Sequence, residues 1–172
     1  MHALLILDLQ VGLFHGADKP WRGDELLGTV NTLLDQAHAA GAPVFLACHV
    51  GPPGSPLAPD SALTQLIPEL RLDGSETVFE KQRPSAFVGT GLLERLKETE
   101  VRGVVICGMK TQYCVDSTCR AARDLGLDAV LVEDGHGCSD TPLLKAEAIV
   151  AHHNATLAGA FCRVVKAREW RF

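Results

Sequence analysis

The sequence predicts a three-layer α/β/α domain of the doubly wound, Rossmann-like class, with a mostly parallel sheet of about six strands. Short, near-continuous apolar runs recur along the chain, which is typical of strands buried on both faces. Amphipathic helical patterns lie between these runs. Strands that alternate with helices imply right-handed crossovers and helices on both faces of the sheet. The length suits one core, so we expect a single domain over residues 1–172.

The predicted strands follow in chain order. Four apolar runs are clear candidates, at residues 3–7, 44–48, 104–107 and 129–132. Two weaker candidates lie at 77–79 and 163–166. All six are short, as strands of this class usually are.

The predicted helices fill the intervals between the strands. The clearest one runs between Asp24, which can cap its start, and Gly41, which can end it. Further helical patterns cover residues 92–97, 115–125 and 142–153. In the last of these, Thr141 can cap the helix and Pro142 suits its first turn.

The segment 49–76 resists assignment to a strand or a long helix. It contains five of the nine prolines, and we expect only a short helical turn near residues 62–66. A loop of this length inside a compact domain is usually functional. We therefore interpret it as a candidate lid.

Composition excludes several classes of partner. Sixteen basic and twenty-one acidic residues give a formal charge of −5 without any basic block, which argues against binding to nucleic acid or an anionic membrane. No apolar stretch approaches the roughly 18 residues of a membrane span. The six cysteines lack Cys-x-x-Cys spacing and are too few for a disulfide scaffold. We expect reduced thiols and a cytoplasmic protein.

Chemically capable side chains follow the predicted strands. In open α/β sheets, ligands bind beyond the carboxyl ends of the strands. The residues at those ends are Asp8, Cys48, His49, Lys81, the segment 108–114, Glu133 and Asp134. Most such residues, taken singly, are solvated charges, salt-bridge partners or small core side chains.

Three of these residues together favour catalysis. Cys114 lies where a helix is predicted to begin, a position that lowers the pKa of a thiol and favours the thiolate. Asp8 can act as a base, and Lys81 can stabilise negative charge. A carboxylate, an ammonium and a thiol at one edge of one sheet supply a base, a stabiliser and a nucleophile.

The motifs around these residues resemble the isochorismatase-like cysteine hydrolases, which include nicotinamidases and N-carbamoylsarcosine amidase. The matching stretches are LILDLQ at 5–10 with Phe14, KQRPSAF at 81–87, GMKTQYCV at 108–115, VEDG at 132–135 and AHHN at 151–154. They occur in order over nearly the whole chain. Three separated motifs each carry one residue of the candidate triad, which makes the resemblance specific.

The resemblance implies roles for individual residues. Asp8 takes the thiol proton, Cys114 attacks an amide-like carbonyl, and Lys81 stabilises the charged pair. The peptide bond before Lys110 is expected to be cis, so that the backbone N–H groups of Lys110 and Cys114 form an oxyanion hole. The expected substrate pocket contains Gln10, Phe14, Met109 and Tyr113. Relatives form homodimers or homotetramers, so we expect the same here.

Two alternatives remain open at this stage. Metal-dependent nicotinamidases have an Asp-x-His motif after the second strand, whereas this chain has Ala47-Cys48-His49. The sequence therefore predicts no metal, although a metal-assisted nicotinamidase is the first alternative. Gly89-Thr90-Gly91 lacks the third glycine of a dinucleotide site, so we expect no cofactor. The second alternative is a binding module that holds a small molecule without catalysis.

Overall fold

The structure, a computed structural model describing residues 1–172, has one six-stranded sheet in which all strands are parallel. The strands are β1 (His2–Leu7), β2 (Val44–His49), β3 (Thr77–Lys81), β4 (Gly103–Met109), β5 (Asp128–Gly137) and β6 (Arg163–Val165). Their order across the sheet is β3-β2-β1-β4-β5-β6. The order reverses between β1 and β4, where a doubly wound sheet leaves room for a ligand. The predicted fold class is confirmed.

Helices cover both faces of this sheet. They are α1 (Val11–Phe14), α2 (Gly23–Ala40), α3 (Leu92–Glu98), α4 (Asp116–Asp124) and α5 (Ala146–Leu157). Helix α2 packs on one face, and side chains of α3, α4 and α5 pack on the other. No helix combines the length and the apolar character that a bilayer crossing needs.

Strand β1 shows why the apolar runs are continuous. Leu4 and Ile6 point into the core on the α2 face, while Leu5 and Leu7 point into the core on the opposite face. All four side chains are buried. A strand covered on both faces has no solvent side, so alternation of apolar and polar residues disappears.

Strand β5 is longer than the sequence predicts. The apolar run ends at Val132, but the strand continues to Gly137 after a shift in its pairing with β4 between Ile106 and Gly108. The second half pairs Gly108 with His136. The polar residues Glu133 and Asp134 lie where the pairing shifts. They interrupt the apolar run, so the hydrophobic pattern falsely indicates that the strand ends there.

The last helix begins four residues later than predicted. Thr141 does not cap it, because its hydroxyl accepts hydrogen bonds from the N–H groups of Leu143 and Leu144 in a separate turn. The helix begins at Ala146, whose N–H donates to the Asp140 carboxylate at 2.9 Å. Proline at 142 is equally compatible with this turn, so the sequence signal was ambiguous.

The segment 49–76 is anchored to the end of β1. It contains a short 3₁₀ turn, Ala62–Thr64, close to the predicted position. Backbone hydrogen bonds join Val11 N–H to Gln65 O and Ile67 N–H to Leu9 O, both at 2.9–3.0 Å. Ile67 is buried in the core beneath α2. The segment is therefore held against the sheet edge.

Candidate active site

The carboxyl ends of β1, β3 and the segment after β4 bring Asp8, Lys81 and Cys114 together. Lys81 Nζ lies 2.8 Å from Asp8 Oδ2 and 3.1 Å from Cys114 Sγ. Asp8 and Lys81 are each only 1% exposed. Three residues that are far apart in the sequence thus form one buried cluster with the ammonium at its centre.

The Lys81 ammonium has a full set of acceptors. In addition to Asp8 and Cys114, it lies 3.4 Å from His49 Nδ1 and 3.4 Å from the Arg83 carbonyl oxygen. An ammonium has three protons, so these contacts fix its direction. A lysine this deeply buried requires such pairing, since an unpaired buried charge is costly.

Burial shifts the pKa values of Asp8 and Cys114, the two acidic groups that lie beside Lys81. Desolvation raises the pKa of the Asp8 carboxyl above its ordinary value, and the charge of Lys81 opposes this. Burial also raises the pKa of the Cys114 thiol to about 12, reinforced by the negative charge of Asp8 and opposed by Lys81. Burial therefore favours the neutral thiol of Cys114 over its thiolate.

The expectation that Cys114 has a lowered pKa was wrong. The residue lies in a single π-helical turn, Thr111–Val115, and helix α4 begins only at Asp116. Burial and a neighbouring carboxylate outweigh whatever a helix N-terminus contributes. Activation of this thiol therefore requires a base to remove its proton.

The turn between β4 and Cys114 has the backbone form that the resemblance implies. The Met109–Lys110 peptide bond is cis. The Lys110 N–H donates to no backbone or side-chain acceptor of the chain. Gly108 has φ +112, and a Cβ there would lie 2.1 Å from Leu7 O, so only glycine lets β4 approach β1 this closely.

A cavity of about 300 Å³ opens onto Cys114. It is lined by Asp8, Leu13, His49, Pro84, Lys110, Tyr113 and Cys114. Of the four residues expected in the substrate pocket, Tyr113 lines this cavity and is 56% exposed. Leu13, His49 and Pro84 also line the cavity, although the sequence analysis did not place them in the substrate pocket. Pro84 could have been placed there, because it lies within the motif that carries Lys81.

The other three expected pocket residues lie elsewhere. Phe14 and Met109 are buried in the core on the α2 face. The Gln10 side chain is fully buried and donates to the carbonyl oxygens of His49 and Thr64, at 3.0 and 2.8 Å. Its Oε1 accepts the His49 N–H at 2.8 Å. Gln10 therefore joins the end of β2, at His49, to the 3₁₀ turn that contains Thr64.

The cluster does not fit a metal ion. Ligand atoms of Asp8, His49 and Cys114 lie within 4.8 Å of one another, which is close enough to share an ion. The Lys81 ammonium, however, lies within 3.4 Å of all three. A divalent cation there would be repelled by this ammonium, which already neutralises Asp8.

Glu133 and Asp134 lie outside this cavity. The Asp134 carboxylate accepts the Ala167 N–H at 2.9 Å, and the Glu133 carbonyl oxygen accepts from Asn154. Both residues line a different cavity of about 640 Å³, next to α2 and α5. That cavity is larger but contains none of the candidate catalytic residues.

A buried histidine supports the turn that carries Cys114. His136 Nδ1 lies 2.9 Å from the Thr111 hydroxyl, and its Nε2 lies 2.9 Å from Asn154 Oδ1. Burial lowers the pKa of His136 to about 4. Sequence reasoning missed this residue, because it lies in the half of β5 that the apolar pattern does not predict.

We expect His136 to make stability depend on pH. Its folded pKa is below the ordinary 6.5, so its contribution is complete above pH 6.5 and is lost as the pH falls toward 4. The complete loss, reached below pH 4, is about 3 kcal/mol in the free energy of unfolding, and about 2 kcal/mol of it falls between pH 7 and pH 4.5. Urea unfolding at pH 7 and pH 4.5 measures it. His136→Gln should reduce this pH dependence, and an unchanged slope would contradict the assignment.

Comparisons with known proteins agree on one family. Residues 2–167 match the isochorismatase domain. A secreted isochorismatase effector of Verticillium dahliae is 29% identical over 167 residues, which cover 96% of this chain and 88% of that protein. A streptothricin hydrolase of Streptomyces noursei is 32% identical over 142 residues, covering 83% of this chain but only 51% of that enzyme. The crystal structure of an isochorismatase from Pseudomonas putida has 30% identity and a TM-score of 0.89, covering 97% of this chain and 88% of that one.

Proposed function

The chain belongs to the isochorismatase family of hydrolases, and from this premise we propose that it cleaves a small amide-like molecule through an acyl-enzyme on Cys114. The observation that carries the proposal is the Lys81 ammonium, which lies 2.8 Å from Asp8 and 3.1 Å from Cys114 Sγ. The ammonium can stabilise a negative charge on either partner as a proton moves between them.

In the proposed first step, Asp8 removes the proton of the Cys114 thiol as the sulfur attacks the carbonyl carbon. The raised pKa of the Asp8 carboxyl brings it closer to that of the thiol, which eases the transfer. The carbonyl oxygen becomes an oxyanion, and the free N–H of Lys110 together with that of Cys114 would stabilise it.

The oxyanion then collapses and the C–N bond breaks. The proton held on Asp8 passes to the leaving nitrogen, which departs as an amine or ammonia. Water next attacks the thioester while Asp8 takes its proton, and the C–S bond breaks. The proton returns to sulfur, so a carboxylic acid is released and the neutral thiol and carboxylate are restored.

We expect iodoacetamide to alkylate Cys114 before the other five cysteines. Cys114 opens onto the catalytic cavity beside a base, whereas Cys107, Cys119 and Cys138 are fully buried. Peptide mass mapping at pH 7 measures the order of labelling. Faster labelling of Cys48, which lines a neighbouring cavity, would contradict the proposal.

Two alternative functions, a metal-assisted nicotinamidase and a non-catalytic binding module, predict different experimental results. Hydrolysis by a metal-assisted nicotinamidase would be lost on treatment with EDTA and restored by zinc, iron or manganese, whereas we expect turnover to survive chelation. A non-catalytic binding module would bind small amides without releasing an amine. A screen of primary amides, ureido acids and lactams, read by amine release, separates that module from an enzyme.

We further propose a cytoplasmic homodimer or homotetramer. All six cysteines are unpaired and buried, which suits a reducing compartment. Leu143 and Leu144 are 92% and 55% exposed, and together they offer an apolar contact for a second copy. Light scattering after size-exclusion chromatography tests the assembly, and a monomer at micromolar concentration would contradict it.

A further inference from the structure

A second cluster of metal-ligating side chains lies at the opposite end of the sheet from the catalytic residues. His38 is in the last turn of α2, and Asp73 and Glu76 lie in the segment that leads into β3. Strand β3 has five residues and ends at Lys81, so it separates this cluster from the catalytic ammonium by about 15 Å. A metal ion in this cluster would take no part in the proposed hydrolysis.

The three ligand atoms are spaced as the ligands of one ion are. His38 Nε2 lies 2.9 Å from Glu76 Oε1 and 3.7 Å from Asp73 Oδ1, and all three atoms lie within 4.8 Å of one another. In a tetrahedral zinc site with bonds of about 2.0–2.2 Å, ligand atoms are about 3.3–3.6 Å apart. The two distances from Nε2 lie on either side of this range, so a zinc ion needs only small movements of the side chains.

The ring nitrogen of His38 makes no hydrogen bond. Nε2 is buried, and Glu76 Oε1 is close to it but not aligned for a hydrogen bond. A buried polar atom without a hydrogen bond costs free energy. A metal ion shared by two ligand atoms lies to one side of the line that joins them, so it suits an alignment that a direct hydrogen bond does not.

Backbone N–H groups hold both carboxylates in place. The Glu76 carboxylate, only 3% exposed, accepts from the N–H groups of Asp73 and Gly74 at 2.9 and 3.0 Å. Asp73 Oδ1 accepts the Ser75 N–H at 2.9 Å. Desolvation opposes ionisation of Glu76, but these hydrogen bonds lower its pKa below the ordinary value, as those from Ser75 do for Asp73. Both groups are therefore ionised at pH 7, and their direction is fixed.

No lysine or arginine competes for these two carboxylates. Within 4.0 Å, His38 is the only basic side chain beside either of them. The catalytic cluster differs in this respect, because the Lys81 ammonium there repels a cation. A neutral imidazole with two carboxylates balances the charge of a divalent ion.

We propose that His38, Asp73 and Glu76 form a site for Zn²⁺ or a similar divalent transition metal. One nitrogen and two carboxylate oxygens are three protein ligands, which leaves a fourth position for water beside the exposed side chain of Asp73. The ion joins the end of α2 to the residues that precede β3. Because only the folded chain brings the three ligands together, zinc stabilises the folded state.

Zinc titration of the metal-free protein tests this site. After EDTA treatment and removal of the chelator, calorimetry with zinc chloride should show one ion per chain, and zinc should raise the Tm. Loss of an outer hydrogen-bond partner weakens metal binding about 10–100-fold, so loss of the direct ligand in His38→Gln should weaken it at least as much. Asp73→Asn changes an exposed side chain, which favours normal folding, and should also weaken binding.

His15→Gln is the matched control. His15 pairs with one carboxylate, that of Glu69 at 2.8 Å, but with no second one, so this change should leave zinc binding unaltered. Cobalt(II) reports the type of ligand, because a site without sulfur gives no thiolate-to-metal charge-transfer band. Cys114→Ala should therefore bind cobalt as the wild type does. Circular dichroism checks that each variant folds.

The outcomes are distinct. Binding that is weakened in His38→Gln and Asp73→Asn but kept in His15→Gln supports the site. An unchanged Tm with zinc, or equal zinc affinity in His38→Gln and the wild type, overturns the inference and leaves the cluster as an ion pair only. A charge-transfer band that disappears in Cys114→Ala would place the metal at the catalytic cysteine and also overturns it. None of these measurements uses hydrolysis, so the proposed function is tested separately.

Discussion

Replacement of Cys114 by alanine should lower kcat/KM by at least three orders of magnitude, a loss of about 4 kcal/mol of transition-state stabilisation. The variant lacks the thiol that opens onto the cavity beside a buried carboxylate. Asp8→Asn should give a loss of similar size, because no base then accepts the thiol proton and passes it to the leaving nitrogen. Steady-state kinetics on an amide found in the screen measure both.

The double variant tests whether the two residues act in one step. Asp8→Asn combined with Cys114→Ala should be scarcely slower than the slower single variant, since either change disables the same acylation. Losses that multiply, with unchanged circular dichroism, would show that Asp8 and Cys114 serve separate steps. Folding should survive in Cys114→Ala, because the sulfur borders a cavity and its removal leaves little new empty space.

Replacement of Lys81 by methionine should have the largest effect on stability. The change leaves the Asp8 carboxylate, 1% exposed, without its ion-pair partner. Loss of one member of a buried pair costs about 3–5 kcal/mol in the free energy of unfolding. Denaturant unfolding at pH 7 measures this loss. Turnover should also fall by about three orders of magnitude, because neither the thiolate nor the carboxylate is then stabilised.

Two comparisons isolate the buried charge as the cause. Adding Asp8→Asn to Lys81→Met removes the unpaired carboxylate, so the double variant should regain much of the lost stability without regaining turnover. Lys145→Met breaks the exposed pair with Asp140 and should leave unfolding almost unchanged. A double variant no more stable than Lys81→Met would contradict the explanation.

The sheet and the clustering of Asp8, Lys81 and Cys114 could be predicted because each depends on a local feature of the sequence. Burial on both faces makes the strands continuous apolar runs, and β1 shows this directly. The carboxyl ends of parallel strands meet at one edge, so Asp8 and Lys81 could be placed near Cys114 without coordinates. Their contacts of 2.8 and 3.1 Å agree with that reasoning.

The features that could not be predicted depend on contacts between distant residues. The pKa of Cys114 is set by the desolvation that many surrounding atoms produce, so its position near a helix gave the wrong direction. The side-chain directions of Gln10 and Phe14 depend on the backbone path after β1, where Asp8 has φ +54. The extension of β5 to Gly137 depends on a shift in its pairing with β4.

The identity of the covalent intermediate tests the central claim most directly. A p-nitrophenyl ester of a small acid should acylate the enzyme faster than the thioester is hydrolysed, and should release a burst of nitrophenolate equal to the enzyme concentration. Acid quenching and peptide mapping should then find the acyl group on Cys114 and no burst in Cys114→Ala. Turnover without a burst, an acyl group on another residue, or full activity of Cys114→Ala would contradict the account.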